Sequence, residues 1–420
     1  MIRRFSVRKA ARYSIVFIAG LFINTLSYSQ TVRILFDASK GETAGNADWT
    51  IDADQTTLGV GSGGAYTTSS GHQSNPQQVP TPAQSTVTTT TPETYWYGAL
   101  SSWGIDCVNK GYAVETLPWN GQITYNNAAN PQDLSHYHVY VVDEPNLVFT
   151  ADEKTAIMQF VQNGGSLFMI SDHNISDRNG DGWDSPNIWN DFLNTNSIQP
   201  NPFGFTFDLN DFSQTTTNVS AAATDSIIHG PMGTVTKVKW SGGTTMTLNP
   251  AANASVKGVI FKTGTVPGNT NAMVAYARYG NGKVAAIGDS SPTDDGTGNP
   301  ICTLYNGYWG DASGNHRLLL MNITIWLAGG GTEGISNITS EDAAVSVFPN
   351  PSTGMSRLAT NIDLTNASVI IYDVAGSEVM HETMPRLSKG AQFSLSLPKG
   401  FYLVRMESDQ LVQTVKVIVY

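Results

Sequence analysis

The chain has 420 residues, of which 14% are charged, and a formal net charge of −11. An acidic surface repels phosphate, so nucleic acid and anionic membranes are excluded as partners. The length suits one large domain and one small one, and two cysteines make no disulfide framework.

Arg3, Arg4, Arg8, Lys9 and Arg12 precede an apolar run at 15–23 and a small-x-small site, Ser27-Tyr28-Ser29. This pattern predicts a signal peptide over 1–29 and a mature chain from Gln30 without a transmembrane segment. Loss of those five bases takes the net charge from −11 to −16. Strands are predicted at 32–36, 112–117, 138–142 and 166–170. A helix is expected from Thr90 or Thr91 to Gly111, with Trp96, Leu100, Trp103 and Cys107 on one face, which reads Cys107 as a buried thiol. Thr150-Ala-Asp-Glu153 is a capping box that opens a second helix, stopped by Gly164-Gly165. The region 174–271 is expected to be irregular, with β hairpins. A hairpin over 272–288 and a last helix over 316–328 complete the alternation. The loop 41–90 lacks periodicity and is read as a lid, because so long a connection in a folded domain is functional or unstructured.

This order predicts an α/β domain over 30–328 with a doubly wound, mostly parallel sheet. A Gly-rich linker, 329–341, leads to a small all-β sandwich over 342–420. Strand ends carry Asp37, Asp143-Glu144, Asp172 and Asp289, where open α/β sheets hold their ligands. Asp172, His173, Asp37 and Asp289 are the candidate catalytic groups, for acid–base work or metal binding. Capping of the following turns is the alternative for any one acid. Ser290 and Ser291 are candidate ligand-binding groups; as nucleophiles they lack the Gly-x-Ser-x-Gly elbow. Asp177, Asn179, Asp181 and Asp184 surround a Gly182 turn as candidate hard-oxygen ligands for Ca2+, although Ile188 stands where an EF-hand loop has its Glu; an Asx-rich turn without metal is the alternative. Trp49, Tyr95, Trp96, Trp119, Trp183, Trp189 and Trp309 either pack these loops down or stack on a polysaccharide ligand.

Three local patterns, Gly164-Gly-Ser-Leu-Phe-Met-Ile170, Ile227-Ile-His-Gly230 and Gly282-Lys-Val-Ala-Ala-Ile-Gly-Asp289, make 31–328 similar to the class I glutamine amidotransferase-like fold, in its cysteine-less, trehalose-utilisation-type branch. The resemblance implies that His229 lies near the crevice. Ser171-Asp172-His173 replaces the nucleophilic cysteine, so no thiol chemistry is implied. At the other end, Val345-Ser-Val-Phe-Pro-Asn-Pro-Ser-Thr-Gly354, Val369-Ile-Ile-Tyr-Asp-Val-Ala-Gly376, Leu397-Pro-Lys-Gly-Phe-Tyr-Leu-Val-Arg405 and Gln413-Thr-Val-Lys-Val-Ile-Val-Tyr420 resemble the type IX secretion C-terminal sorting domain of Bacteroidetes. That resemblance implies the type IX machinery as a partner and an immunoglobulin-like sandwich. The functional expectation is an exported surface protein with a hydrolase domain for a glycan or other polymer; the alternative is a non-catalytic glycan- or calcium-binding module.

Overall fold

The computed structural model describes residues 31–44, 47–60, 66–67, 73–222, 224–296, 304–329, 345–360, 363–373, 377–408 and 412–420. The expected signal peptide, nearly all of the linker and Cys302 lie outside the described residues. Short apolar runs bounded by Gly, Pro and Asn form the first strands, β1 (Arg33–Asp37), β2 (Ala113–Leu117), β3 (Val139–Asp143) and β4 (Ser166–Ile170). Seven more follow: β5 (Phe205–Phe207), β6 (Phe212–Thr216), β7 (Val238–Gly243), β8 (Met246–Leu248), β9 (Lys257–Phe261), β10 (Ala272–Tyr279) and β11 (Gly282–Ile287).

The main sheet runs β5-β8-β10-β11-β4-β3-β1-β2, with β9 also paired to β10. The five strands β11, β4, β3, β1 and β2 are mutually parallel, and the rest are added antiparallel. Within the parallel part the order 2-1-3-4-11 reverses direction between β1 and β3, which opens a crevice above their carboxyl ends. Helices α1 (Ser101–Asn109) and α4 (His316–Leu327) cover one face, on which Ile34, Phe36, Val139, Val141, Phe168 and Ile287 share a core with Trp103 and Leu320. Helices α2 (Ala151–Gln162) and α3 (Ser185–Thr195) cover the other, where Leu35, Tyr140, Leu167 and Met169 meet Phe160 and Trp189. The sheet is therefore doubly wound, as its nearly unbroken apolar strands require.

Two expectations need correction. The first helix is shorter than predicted: a 3-10 turn at Glu93–Tyr95 and an extended Trp96 precede α1. Trp96 is nevertheless buried, with its indole donating to the Pro82 carbonyl at 2.8 Å. Apolar spacing therefore marked burial and overstated the helix. Within the region expected to be irregular, α3 forms because the Asp184 side chain caps it and Pro186 occupies its first turn. The Thr150–Glu153 capping box forms as predicted. Cys107 is buried, with Met321 sulfur 4.0 Å away.

The described start of the 41–90 loop is not a loose cover. Residues 41–44 and 47–53 are buried, and a Cβ on Gly98 would stand 1.9 Å from the Thr50 carbonyl oxygen, so the backbones pass at glycine distance.

The C-terminal region is all β. Strands β12 (Val345–Phe348), β13 (Met355–Thr360) and β16 (Gln392–Ser396) form one antiparallel sheet, ordered β12-β13-β16. Strands β14 (Leu364–Tyr372), β15 (Glu378–Leu387), β17 (Gly400–Glu407) and β18 (Val412–Val419) form a second, ordered β15-β14-β17-β18. Val347 and Leu358 from the first share a core with Val369, Val404 and Val417 from the second. Among the described residues no helix is long and apolar enough to cross a membrane.

Candidate acid–base site at the strand ends

The crevice gathers acids from three adjacent parallel strands. Asp143 ends β3 and Glu144 follows it; Asp172 lies two residues past β4, and Asp289 two past β11. All four are buried. Glu144 occupies the left-handed region, with φ 51°, a strained position for a non-glycine residue. Its Oε2 accepts the Trp49 indole N–H at 2.9 Å and the Ser290 hydroxyl at 2.6 Å, while Oε1 accepts the Arg178 Nε–H at 2.9 Å. The Arg178 Nη2 donates to Asp172 Oδ2 at 2.5 Å, so one guanidinium ties both carboxyls together.

Burial and then the charge of Asp172 push Glu144 up to about 8, despite Arg178. Glu144 is therefore protonated at neutral pH. Burial, reinforced by Asp172, also raises Asp289, whose Oδ1 accepts the Ser291 N–H at 2.8 Å and Oδ2 the Ser241 N–H at 2.5 Å. Among the described residues no hydrogen bond of good geometry reaches either Asp143 oxygen, and burial, offset in part by nearby Thr293, holds it well above the carboxylate range. His173 stands at the opening with its side chain 20% exposed and Nδ1 3.1 Å from Asp172 Oδ1. That contact raises its pKa, against a smaller opposing effect of burial. Beside Asp289 a cavity of about 330 Å³ is lined by Ser241, Ser291, Tyr305 and His316. His316 is buried and neutral: Nδ1 meets the Gly307 carbonyl at 2.7 Å and Nε2 accepts the Lys239 N–H at 3.0 Å.

Space for Asp289 comes from a glycine. A Cβ on Gly243 would lie 2.7 Å from both the Asp289 Cβ and the Gly288 carbonyl.

The structure thus brings Asp172, His173, Asp289, Ser290 and Ser291 to one place and separates the other candidates from them. Asp37 shares the phase of Leu35 and points to the α2/α3 side. Its Oδ1 accepts both the Ser39 N–H and hydroxyl, and it forms a buried pair with Glu42, both raised chiefly by desolvation. His229 is exposed on a two-residue hairpin with Gly233–Thr234, beside α4 and away from the strand ends. Ser290 donates to Glu144 and has no contact with His173, so a serine–histidine dyad is not formed.

The turn 177–184 closes on itself. Asp177 accepts the Gly180, Asp181 and Gly182 N–H groups, and Asp181 accepts that of Trp183. Asn179 spends its amide on the Asn146 carbonyl and on Asp181, and Asp184 accepts from Ile175 and Asn187. Among the described residues no group of three or more His, Cys, Asp or Glu side chains is placed to hold a metal. Trp49, Trp96 and Trp189 are core residues, whereas Trp119, Trp183 and Trp309 are exposed.

Sequence reasoning did not single out Arg178, and noted Glu144 only as a strand-end acid. The one signal for Arg178 was a lone cation among acids. Nothing local announced the left-handed backbone of Glu144.

Comparison with known proteins bears on the other end of the chain. Residues 346–420 match the Secretion system C-terminal sorting domain. The protein is therefore secreted by the type IX system to the cell surface or extracellular space, and its sorting domain engages that machinery. Among solved structures, the mmIFT52 N-terminal domain is 14% identical with a TM-score of 0.41, over 70% of this chain and 97% of that one. Cytoplasmic Protein STM3548 from Salmonella typhimurium is 12% identical with a TM-score of 0.35, over 70% and 98%. At those scores neither likeness bears on chemistry, and neither supports the amidotransferase-like resemblance. No curated protein matches the chain.

Proposed function

We propose that residues 30–328 form the cargo domain of this secreted protein and act as a hydrolase on a glycan or other extracellular polymer. The observation that carries the reading is the buried cluster itself, in which Arg178 ties Glu144, pushed up by burial and by Asp172, to the carboxylate that lies 3.1 Å from His173. Groups with displaced pKa values gathered at the ligand-binding end of an α/β sheet are what proton-transfer chemistry requires. In this reading His173, the solvent-facing member, moves the proton. Asp172, in charge contact with its ring, favours its protonated form, Arg178 fixes Asp172, and Asp289 helps set the field at the cavity. Glu144, wholly buried, is a positioning residue that supplies a neutral hydrogen-bond partner.

The burial of every carboxyl in the cluster favours a second reading, a binding module whose acids only brace the crevice. Incubation of the secreted protein with a panel of polysaccharides, followed by assay of reducing ends, separates the two. The hydrolase reading predicts product that His173→Ala reduces by at least ~100-fold, the usual worth of a general acid or base. Saturable binding without product, or product unchanged in His173→Ala, sinks it.

A further inference from the structure

A second cavity lies in the groove between α1 and α4, independent of the acid–base site. Its volume is about 260 Å³, and Thr91, Ser102, Asp106, Lys110, Trp309 and Arg317 are among its lining residues. Ser102 is 2% exposed, yet among the described residues its hydroxyl has no hydrogen-bond partner. Buried hydroxyls are nearly always satisfied, so an unpaired one beside a cavity marks a place where a ligand or water completes the bonding. Trp309 is 46% exposed at the rim; Arg317 covers one face of its ring at 4.1 Å. Arg317 in turn makes a bidentate pair with Asp106, at 2.6 and 2.8 Å, and the Tyr308 hydroxyl donates to the same carboxylate at 2.7 Å. The tryptophan is thereby held rigid, with a planar apolar surface beside fixed polar groups.

We infer that this groove binds one neutral pyranose ring of an extracellular glycan. A sugar ring offers C–H faces for Trp309 and hydroxyls for Ser102 and Thr91, the amphipathic match that aromatic side chains with nearby polar groups provide. The two charges in the floor neutralise each other, which leaves only Lys110 at the rim. The chain is acidic overall, with a net charge of −11, and this disfavours an acidic glycan.

The test titrates maltose, cellobiose, chitobiose, lactose and digalacturonate separately into the full secreted chain, read by calorimetry and tryptophan fluorescence. At least one neutral disaccharide should bind saturably. Trp309→Ala should weaken it by about 10-fold and Trp309→Phe by much less, as loss and retention of a stacking surface require. Ser102→Ala should weaken it by about 3- to 10-fold, the worth of one hydrogen bond, with no loss in melting temperature because the hydroxyl has no partner in the free protein. Absence of saturable binding by every neutral disaccharide overturns the inference. So does tighter binding of digalacturonate, affinity unchanged in Trp309→Ala, or affinity unchanged in Ser102→Ala.

Discussion

The acids of the turn 177–184 and the acids at the strand ends have similar composition and opposite surroundings. In the turn, carboxylates accept N–H groups from their own neighbours, so their charge is spread locally and close to solvent. At the strand ends, four buried carboxyls gather in one crevice, and a single guanidinium serves two of them, Glu144 and Asp172. The first arrangement stabilises a loop. The second stores electrostatic tension that is relieved by holding protons, and that is the state useful for chemistry.

Removing Arg178 should expose this difference most strongly. Arg178→Met leaves Asp172 and Glu144 buried without their cation and should cost about 3–5 kcal/mol in urea unfolding. Adding Asp172→Asn should recover part of that loss. Gly243→Ala, which drives a methyl group against Asp289 and Gly288, should cost about 1–3 kcal/mol. A cost under about 0.5 kcal/mol for either variant would mean that the crevice relaxes freely.

The same tension sets a pH dependence. Glu144 ordinarily titrates near 4.5 and in the fold near 8. Between those values the native state keeps a proton that the unfolded chain has lost, so stability is full below about 4.5 and declines as pH rises towards 8. Asp143, Asp289 and the Asp37–Glu42 pair are raised too and act in the same direction. His173, also raised, contributes stability below its unfolded value and loses it as pH climbs through its folded one. Half-buried His138 and buried His316 are lowered, chiefly by desolvation, and oppose this near 6.5. The five carboxyls outweigh them, so the melting temperature should be higher at pH 5 than at pH 8.5. Asp133 and Asp311, lowered by their hydrogen bonds, reverse the trend only below their ordinary range.

The turn gives the smallest effect. Because its own N–H groups already occupy the Asp177 oxygens, Asp177→Asn should change stability by no more than about 1 kcal/mol. EDTA should leave the melting temperature unchanged; a clear drop would mean that a cation displaces those bonds.

How much of this was legible in the sequence follows from the range of each interaction. The Thr150–Glu153 capping box spans three residues and was read directly. So was the C-terminal module, whose signature is short alternating strands. The cap of α3 was equally local, an Asp184 before Ser185-Pro186, but Asp184 was grouped with the Asp-rich turn before it and the helix was left out. Asp37 was misplaced by strand phase: its side chain lies on the Leu35 side, a distinction that a common position at a strand end conceals. Arg178 was invisible as a site residue because its partners are 6 and 34 residues away and meet it only once β3 and β4 pair.

The central claim is that Glu144 holds a proton at neutral pH beside the Asp172–His173 pair. Carbon-13 NMR of protein labelled at the glutamate carboxyls, with Glu144→Gln for assignment, tests it directly. The account predicts one resonance titrating near 8 and absent from Glu144→Gln. A Glu144 resonance that titrates near the ordinary 4.5 would contradict it.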